Sequence, residues 1–222
     1  MLTLAGGLLA LSATMAQAEP GAFWEVNGSH ITGSLSVEGG GVIENTGILL
    51  TKIGTSKVEI SCPTIKAVNL VLKESGSGSG KGHLEECTTK LNGTLASRCT
   101  PKSPGAPAGL VETNALDGLI VLHEPSPGTR VDLLELLPTA GTAFVTLELG
   151  ALCAIGNKFD ITGKAFVKDC QGEGLVNKVE HLVEEGPLSA LLFGGNAATI
   201  DGSAFVFLNG AHAGLTFSGH PA

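Results

Sequence analysis

Ser56-Lys57-Val58-Glu59-Ile60-Ser61-Cys62 is the stretch whose reading decides the fold. Successive side chains of an extended chain point to opposite sides, so Val58, Ile60 and Cys62 share one face while Lys57, Glu59 and Ser61 share the other. A helix would scatter the same residues around its circumference. The alternation recurs at His30–Val37, Thr129–Leu137, Ala204–Leu208 and Leu215–Phe217, and at Thr142–Leu149, where Phe144 or Val145 turns inward. Glycine-containing connections separate the runs: Ser75–Gly80 reads as a flexible hairpin tip and Asn92-Gly93 as a turn. This pattern predicts an all-β fold, sandwich or barrel-like. One segment departs from it. Val176, Val179, Leu182 and Val183 recur at helical spacing and Gly186-Pro187 follows, so at most one short helix is expected near 175–185, with an edge strand as the alternative.

An internal repeat extends the pattern. Leu49-Leu50, Gly54-Thr55 and Val58-x-Ile60 match Leu136-Leu137, Gly141-Thr142 and Val145-x-Leu147 in order. Gly80-Lys81 through Cys87 then matches Gly163-Lys164 through Cys170, and Leu116-Asp117-Gly118 matches Ile200-Asp201-Gly202. Nearly constant offsets predict two related β-units, near 48–122 and 135–208, packed face to face within a single domain spanning 19–222.

Composition narrows the function classes. Of 222 residues, 32 are Gly, eight are Phe, one is Trp and none is Tyr; 13 Lys+Arg face 21 Asp+Glu, for a net charge of −8. The acidic balance predicts no nucleic-acid partner, which would require clustered cations. An apolar share of 43% is too high for a disordered chain. Without aromatic platforms, stacking of sugars has little to work with, and Trp24 is expected to anchor the first strand in the core. Positive mean hydropathy suggests apolar surface available for self-association or contact with the cell envelope.

Residues 1–18 carry no charged side chain, are apolar through Leu11 and close with Ala16-Gln17-Ala18. This pattern, although no basic residue precedes it, predicts a signal peptide and export, to the cell surface, the periplasm or beyond. No later run is long enough to span a bilayer as a helix, so no transmembrane span is expected. The five cysteines suit an oxidising destination. The repeat equates Cys62 with Cys153 and Cys87 with Cys170, predicting Cys62–Cys87 and Cys153–Cys170 bridges with Cys99 free. A Cys87–Cys99 bridge across a three-residue loop at Asn92–Thr94 is the rival.

Motifs for chemistry are sparse. Ser75–Lys81 lacks the spacing and the helix of a phosphate-binding loop. Neither a nucleophile elbow nor a dinucleotide fingerprint is present. Asp117-Gly118 and Asp201-Gly202 read as turns rather than as a split aspartate dyad, which needs a hydroxyl residue after the acid. His181 and Glu184 would share a face of a helix and are the nearest approach to metal-ligand spacing. Asp117, Asp201, His181 and Glu184 are therefore the candidates for any active site, and no catalytic residue, metal or cofactor is expected.

The segments GAFWEVNG (21–28), VETN (111–114), GLIVLH (118–123), EHLVEEGPL (180–188) and ATIDGSA (198–204) resemble a group of uncharacterised bacterial secreted β-rich proteins. The resemblance implies an exported bacterial protein and carries no activity, cofactor or catalytic residue. The expectation is a secreted or surface-associated non-catalytic β-domain, serving in envelope structure, adhesion or matrix contact. The alternatives are a secreted hydrolase or metal-dependent enzyme with a site assembled from distant strands, and a carrier of a small apolar ligand.

Overall fold

The computed structural model describes residues 21–168, 179–182 and 191–221. Among these the protein is all-β, with two short 3-10 turns and no α-helix. Its strands are β1 (Phe23–Val26), β2 (Ser29–His30), β3 (Ser34–Ile53), β4 (Ser56–Cys62), β5 (Thr64–Lys73) and β6 (Ser77–Glu85). β7 (Thr88–Leu91), β8 (Thr94–Leu95), β9 (Val111–Glu112), β10 (Leu116–Ser126), β11 (Thr129–Pro138) and β12 (Ala143–Glu148) follow. The last six are β13 (Lys158–Thr162), β14 (Ala165–Lys168), β15 (Val179–Leu182), β16 (Leu191–Phe193), β17 (Asn196–Asn209) and β18 (Phe217–His220).

Two long strands form the spine. β3 has 20 residues and pairs along Glu38–Thr51 with β17, antiparallel. At ~3.3 Å per residue such a strand would run about 65 Å if straight, a length over which strand twist forces the sheet to coil or divide. It divides. The other edge of β3 pairs first with β5, through Ser34–Val37, and then with β4, through Gly47–Ile53. Beyond that fork the sheet curls two ways. One half runs β3-β5-β6-β10-β11-β14, with β15 on β17; the other runs β12-β13-β16-β17-β3-β4-β7-β8.

Each half-barrel encloses its own core. Trp24, Val37, Leu72, Ile120, Leu208 and Phe217 fill the first. Val58, Ile60, Phe144, Leu147, Ile161 and Phe193 fill the second. Strands β18-β1-β2 form a separate three-stranded sheet that packs Trp24, Val26 and Phe217 into the first core. The Trp24 indole N–H donates to the Ser77 carbonyl at 2.9 Å, satisfying its one polar atom while the ring is buried. Trp24 thus anchors the first strand. No helix among the described residues is long and apolar enough to cross a membrane.

Several expectations are corrected. Ser77–Gly80 is strand rather than hairpin tip: Gly78 and Gly80 pair with β10, and the Leu70 side chain occupies the space that a Cβ on Gly80 would take. Asp117-Gly118 and Asp201-Gly202 lie within β10 and β17, not in turns. Glycine at 118 admits the Leu134 and Leu136 side chains of the neighbouring strand. Val179–Leu182 is extended and pairs with β17, so at that segment the edge-strand alternative holds; 175–178 and 183–185 lie outside the described residues. His30–Val37 is interrupted at Gly33, whose φ of 75° is left-handed. Both half-barrels draw strands from 48–122 and from 135–208.

The sulfur pairing is also revised. Cys62 and Cys87 are bridged, with Cα atoms 4.2 Å apart. They face each other because β4–β7 and β5–β6 keep one register, Ser61 opposite Thr88 and Thr64 opposite Glu85. Cys99 is not free: it bonds Cys153 at a Cα separation of 4.8 Å. That excludes the Cys153–Cys170 and Cys87–Cys99 pairings, and Cys170 lies outside the described residues. The Asn92-Gly93 loop has two residues rather than three, placing Leu91 opposite Thr94, so the register behind the Cys87–Cys99 idea does not arise.

Candidate functional site

A polar cleft opens where β5, β6 and β9 meet the segment before β9. Its origin is a bulge. Val68 pairs with Lys81 and Val71 with Ser79, so Asn69 and Leu70 together oppose Gly80. Such bulges re-aim side chains and recur beside binding sites. Asn69 takes a left-handed φ of 54°, which asparagine tolerates better than most residues. Alternation along β6 then sets Lys81 and His83 on one face.

Across the next ladder His83 stands opposite Glu112, and its Nε2 lies 3.2 Å from Glu112 Oε1. Thr113 is pinned on both sides of Gly82, its N–H donating to the Gly82 carbonyl and its Oγ1 accepting from the Gly82 N–H at 2.8 Å. Asn114 Nδ2 donates to the Ala143 carbonyl. Val68, Asn69, Lys81, His83, Glu112, Thr113 and Asn114, with Ser103 and Pro104, enclose about 390 Å³. On the same outer face Lys66 pairs with Glu85 at 2.7 Å.

The one serine of the cleft is not poised for attack. Ser103 is buried, and its hydroxyl both donates to the Glu112 carbonyl and accepts from the Glu112 N–H. Those bonds fix the cleft wall and leave the oxygen no freedom to attack. A second Ser-His-Glu grouping, on the β18-β1-β2 sheet, fails for another reason. Ser218 Oγ lies 2.7 Å from His220 Nε2, and Glu25 Oε2 lies 3.2 Å from the same nitrogen. Base catalysis requires the hydroxyl and the orienting carboxylate on different ring nitrogens.

Of the residues nominated from sequence, Asp117 on β10 and Asp201 on β17 have β6, β5 and β3 between them along the sheet. His181 is on β15, opposite Ala204. Glu184 lies outside the described residues. Among the described residues no group of three or more His, Cys, Asp or Glu is arranged to hold a metal. The cleft is not legible in sequence: His83 lies too far from Cys87 along a strand to share a metal with it, and Asn69 carries no local signal for a bulge. Compared with known proteins, the chain matches no protein-family model, no curated protein and no solved structure.

Proposed function

We propose that the chain is an exported, non-catalytic β-domain acting in envelope structure, adhesion or matrix contact outside the cytoplasm. On this reading residues 1–18 are removed as a signal peptide, and 19–222 form one domain descended from two related units near 48–122 and 135–208. The observation that carries it is the sulfur chemistry: all four described cysteines are joined in two buried disulfides. Stable bridges of that kind belong to oxidising compartments. The β1 strand begins at Phe23, close behind the proposed cleavage point, and strands β1 and β18 bring the two ends of the described chain together. The engaged hydroxyl of Ser103, and the single ring nitrogen shared by Ser218 and Glu25 at His220, support a non-catalytic role. The test is expression of the full chain in a bacterial host, followed by fractionation and intact-mass measurement. A mature N-terminus at Glu19, in an extracytoplasmic fraction, is the expected result; retention of Met1 in the cytoplasm would overturn the proposal.

A further inference from the structure

We propose that the cleft beside Asn69 binds a small zwitterion, an α-amino acid. The two charges on its walls are opposite in sign. Lys81 contributes an ammonium that makes no ion pair among the described residues. Glu112 contributes a carboxylate whose Oε1 faces His83, while Oε2 makes no ion pair there. Since His83 stands opposite Glu112, Lys81 is the diagonal neighbour of that glutamate, with Cα atoms ~7–8 Å apart. A simple anion drawn to Lys81 meets repulsion from Glu112, and a simple cation meets the reverse. A ligand carrying both an ammonium and a carboxylate satisfies both walls.

The remaining lining fits that class. Asn69, presented at the rim by its left-handed backbone, offers a carboxamide donor and acceptor. Asn114 has its Nδ2 committed to Ala143, which leaves its oxygen as an acceptor. Val68 and Pro104 supply the apolar lining, and no Phe, Tyr or Trp lines the cleft, so a sugar or nucleobase would find only the His83 imidazole, already facing Glu112, to stack on. A volume of about 390 Å³ is at the small end of ligand sites, suited to a single amino acid. The site stands whether or not the chain is exported.

The test is an NMR titration of the ¹⁵N-labelled full-length protein with each of the proteinogenic amino acids at millimolar concentration. The best binder is then compared with its N-acetyl derivative, which lacks the ammonium, and its methyl ester, which lacks the carboxylate. Saturating shifts at Asn69, Lys81–His83 and Glu112–Asn114 are expected, with affinity at least about tenfold weaker for each derivative and for Lys81→Met and Glu112→Gln. Both substituted side chains are solvent-facing, and an otherwise unchanged amide spectrum verifies the fold of each variant. The proposal is overturned if no amino acid gives a saturating shift, if acetate or phosphate binds as tightly, or if the variants respond like the parent.

Discussion

At the scale of single residues, two side chains in neighbouring strands show how the sheet treats polarity. Thr89 on β7 points into the second core, is 1% exposed, and its hydroxyl has no hydrogen-bond partner among the described residues. An unpaired buried hydroxyl costs free energy that an isosteric methyl does not. Thr89→Val is therefore expected to stabilise the protein by about 1 kcal/mol, read as a higher midpoint in urea. Glu59 is on the opposite face of its strand, directly across from Lys90, with Oε1 2.7 Å from the ammonium. The Lys90 hydrogen bond, outweighing the opposing effect of burial and helped by Ser61, holds its carboxyl below the ordinary glutamate range. A carboxyl lowered on folding contributes stability that is present above its unfolded value, about 4.3, and lost as pH falls through the folded value. Lys90→Met should remove that contribution: the variant is less stable at neutral pH by under about 1 kcal/mol, and the difference closes below pH ~4 in thermal melts. The opposite facing of Val58 and Glu59 was legible in sequence, because alternation alone sets it.

At the scale of elements, the segment from η1 (Ser97–Cys99) to β9 acts as a strap. β8 and β12 are the two free ends of the second half-barrel, and the strap runs between them. Lys102 exchanges backbone hydrogen bonds with Glu148 on β12, and Asn114 N–H donates to the Phe144 carbonyl. The Cys99–Cys153 bridge ties residues just beyond β8 to residues just beyond β12. The edge of β12 is thereby covered, which is how sheets avoid pairing with other chains, while Thr94 and Leu95 of β8 stay exposed. Gly150 permits this closure, since a Cβ there would overlap the Arg98 carbonyl oxygen, a backbone atom that cannot swing aside. Gly150→Ala should cost about 1–3 kcal/mol in denaturant unfolding even though the residue is not in a left-handed conformation. Removal of the bridge by Cys99→Ser with Cys153→Ser should cost about 2–5 kcal/mol. Non-reducing peptide mapping of the parent should return Cys62–Cys87 and Cys99–Cys153 peptides. This pairing could not be read from sequence. Repeat alignment compares positions along the chain, whereas Cys99 and Cys153 are brought together by the curl of a sheet. Cys62–Cys87 was legible through the repeat, and it forms because one register runs from β4–β7 into β5–β6. The cleft was not, because its lining depends on a register slip at Asn69 and on β9, a strand of two residues that pairs with β6 across the strap.

At the scale of the whole molecule, the two cores belong to one sheet. β3 contributes Leu35 and Val37 to the first and Leu49 and Ile53 to the second; β17 contributes Leu208 to the first and Ala198 to the second. Neither half-barrel can open without losing the ladder between β3 and β17, which runs from Glu38–Asn209 to Thr51–Ala198. Separate domains joined by a linker would unfold independently; halves that share their longest strands are expected to unfold together. Trp24 is the sole tryptophan and sits in the first core, so its fluorescence reports that half alone, whereas far-UV circular dichroism reports all strands. The two signals should give coincident midpoints in urea. The sharper test uses the bridge. Cys99 and Cys153 pack beside Leu149, Ile155 and Phe159 at the far end of the second half, away from the cluster around Trp24. Substituting both cysteines by serine should nevertheless lower the Trp24 fluorescence midpoint by the same amount as the circular dichroism midpoint. If the fluorescence midpoint stayed at the parental value while the other fell, β3 and β17 would have to break at the fork near Pro63, and the halves would count as two cooperative units rather than one.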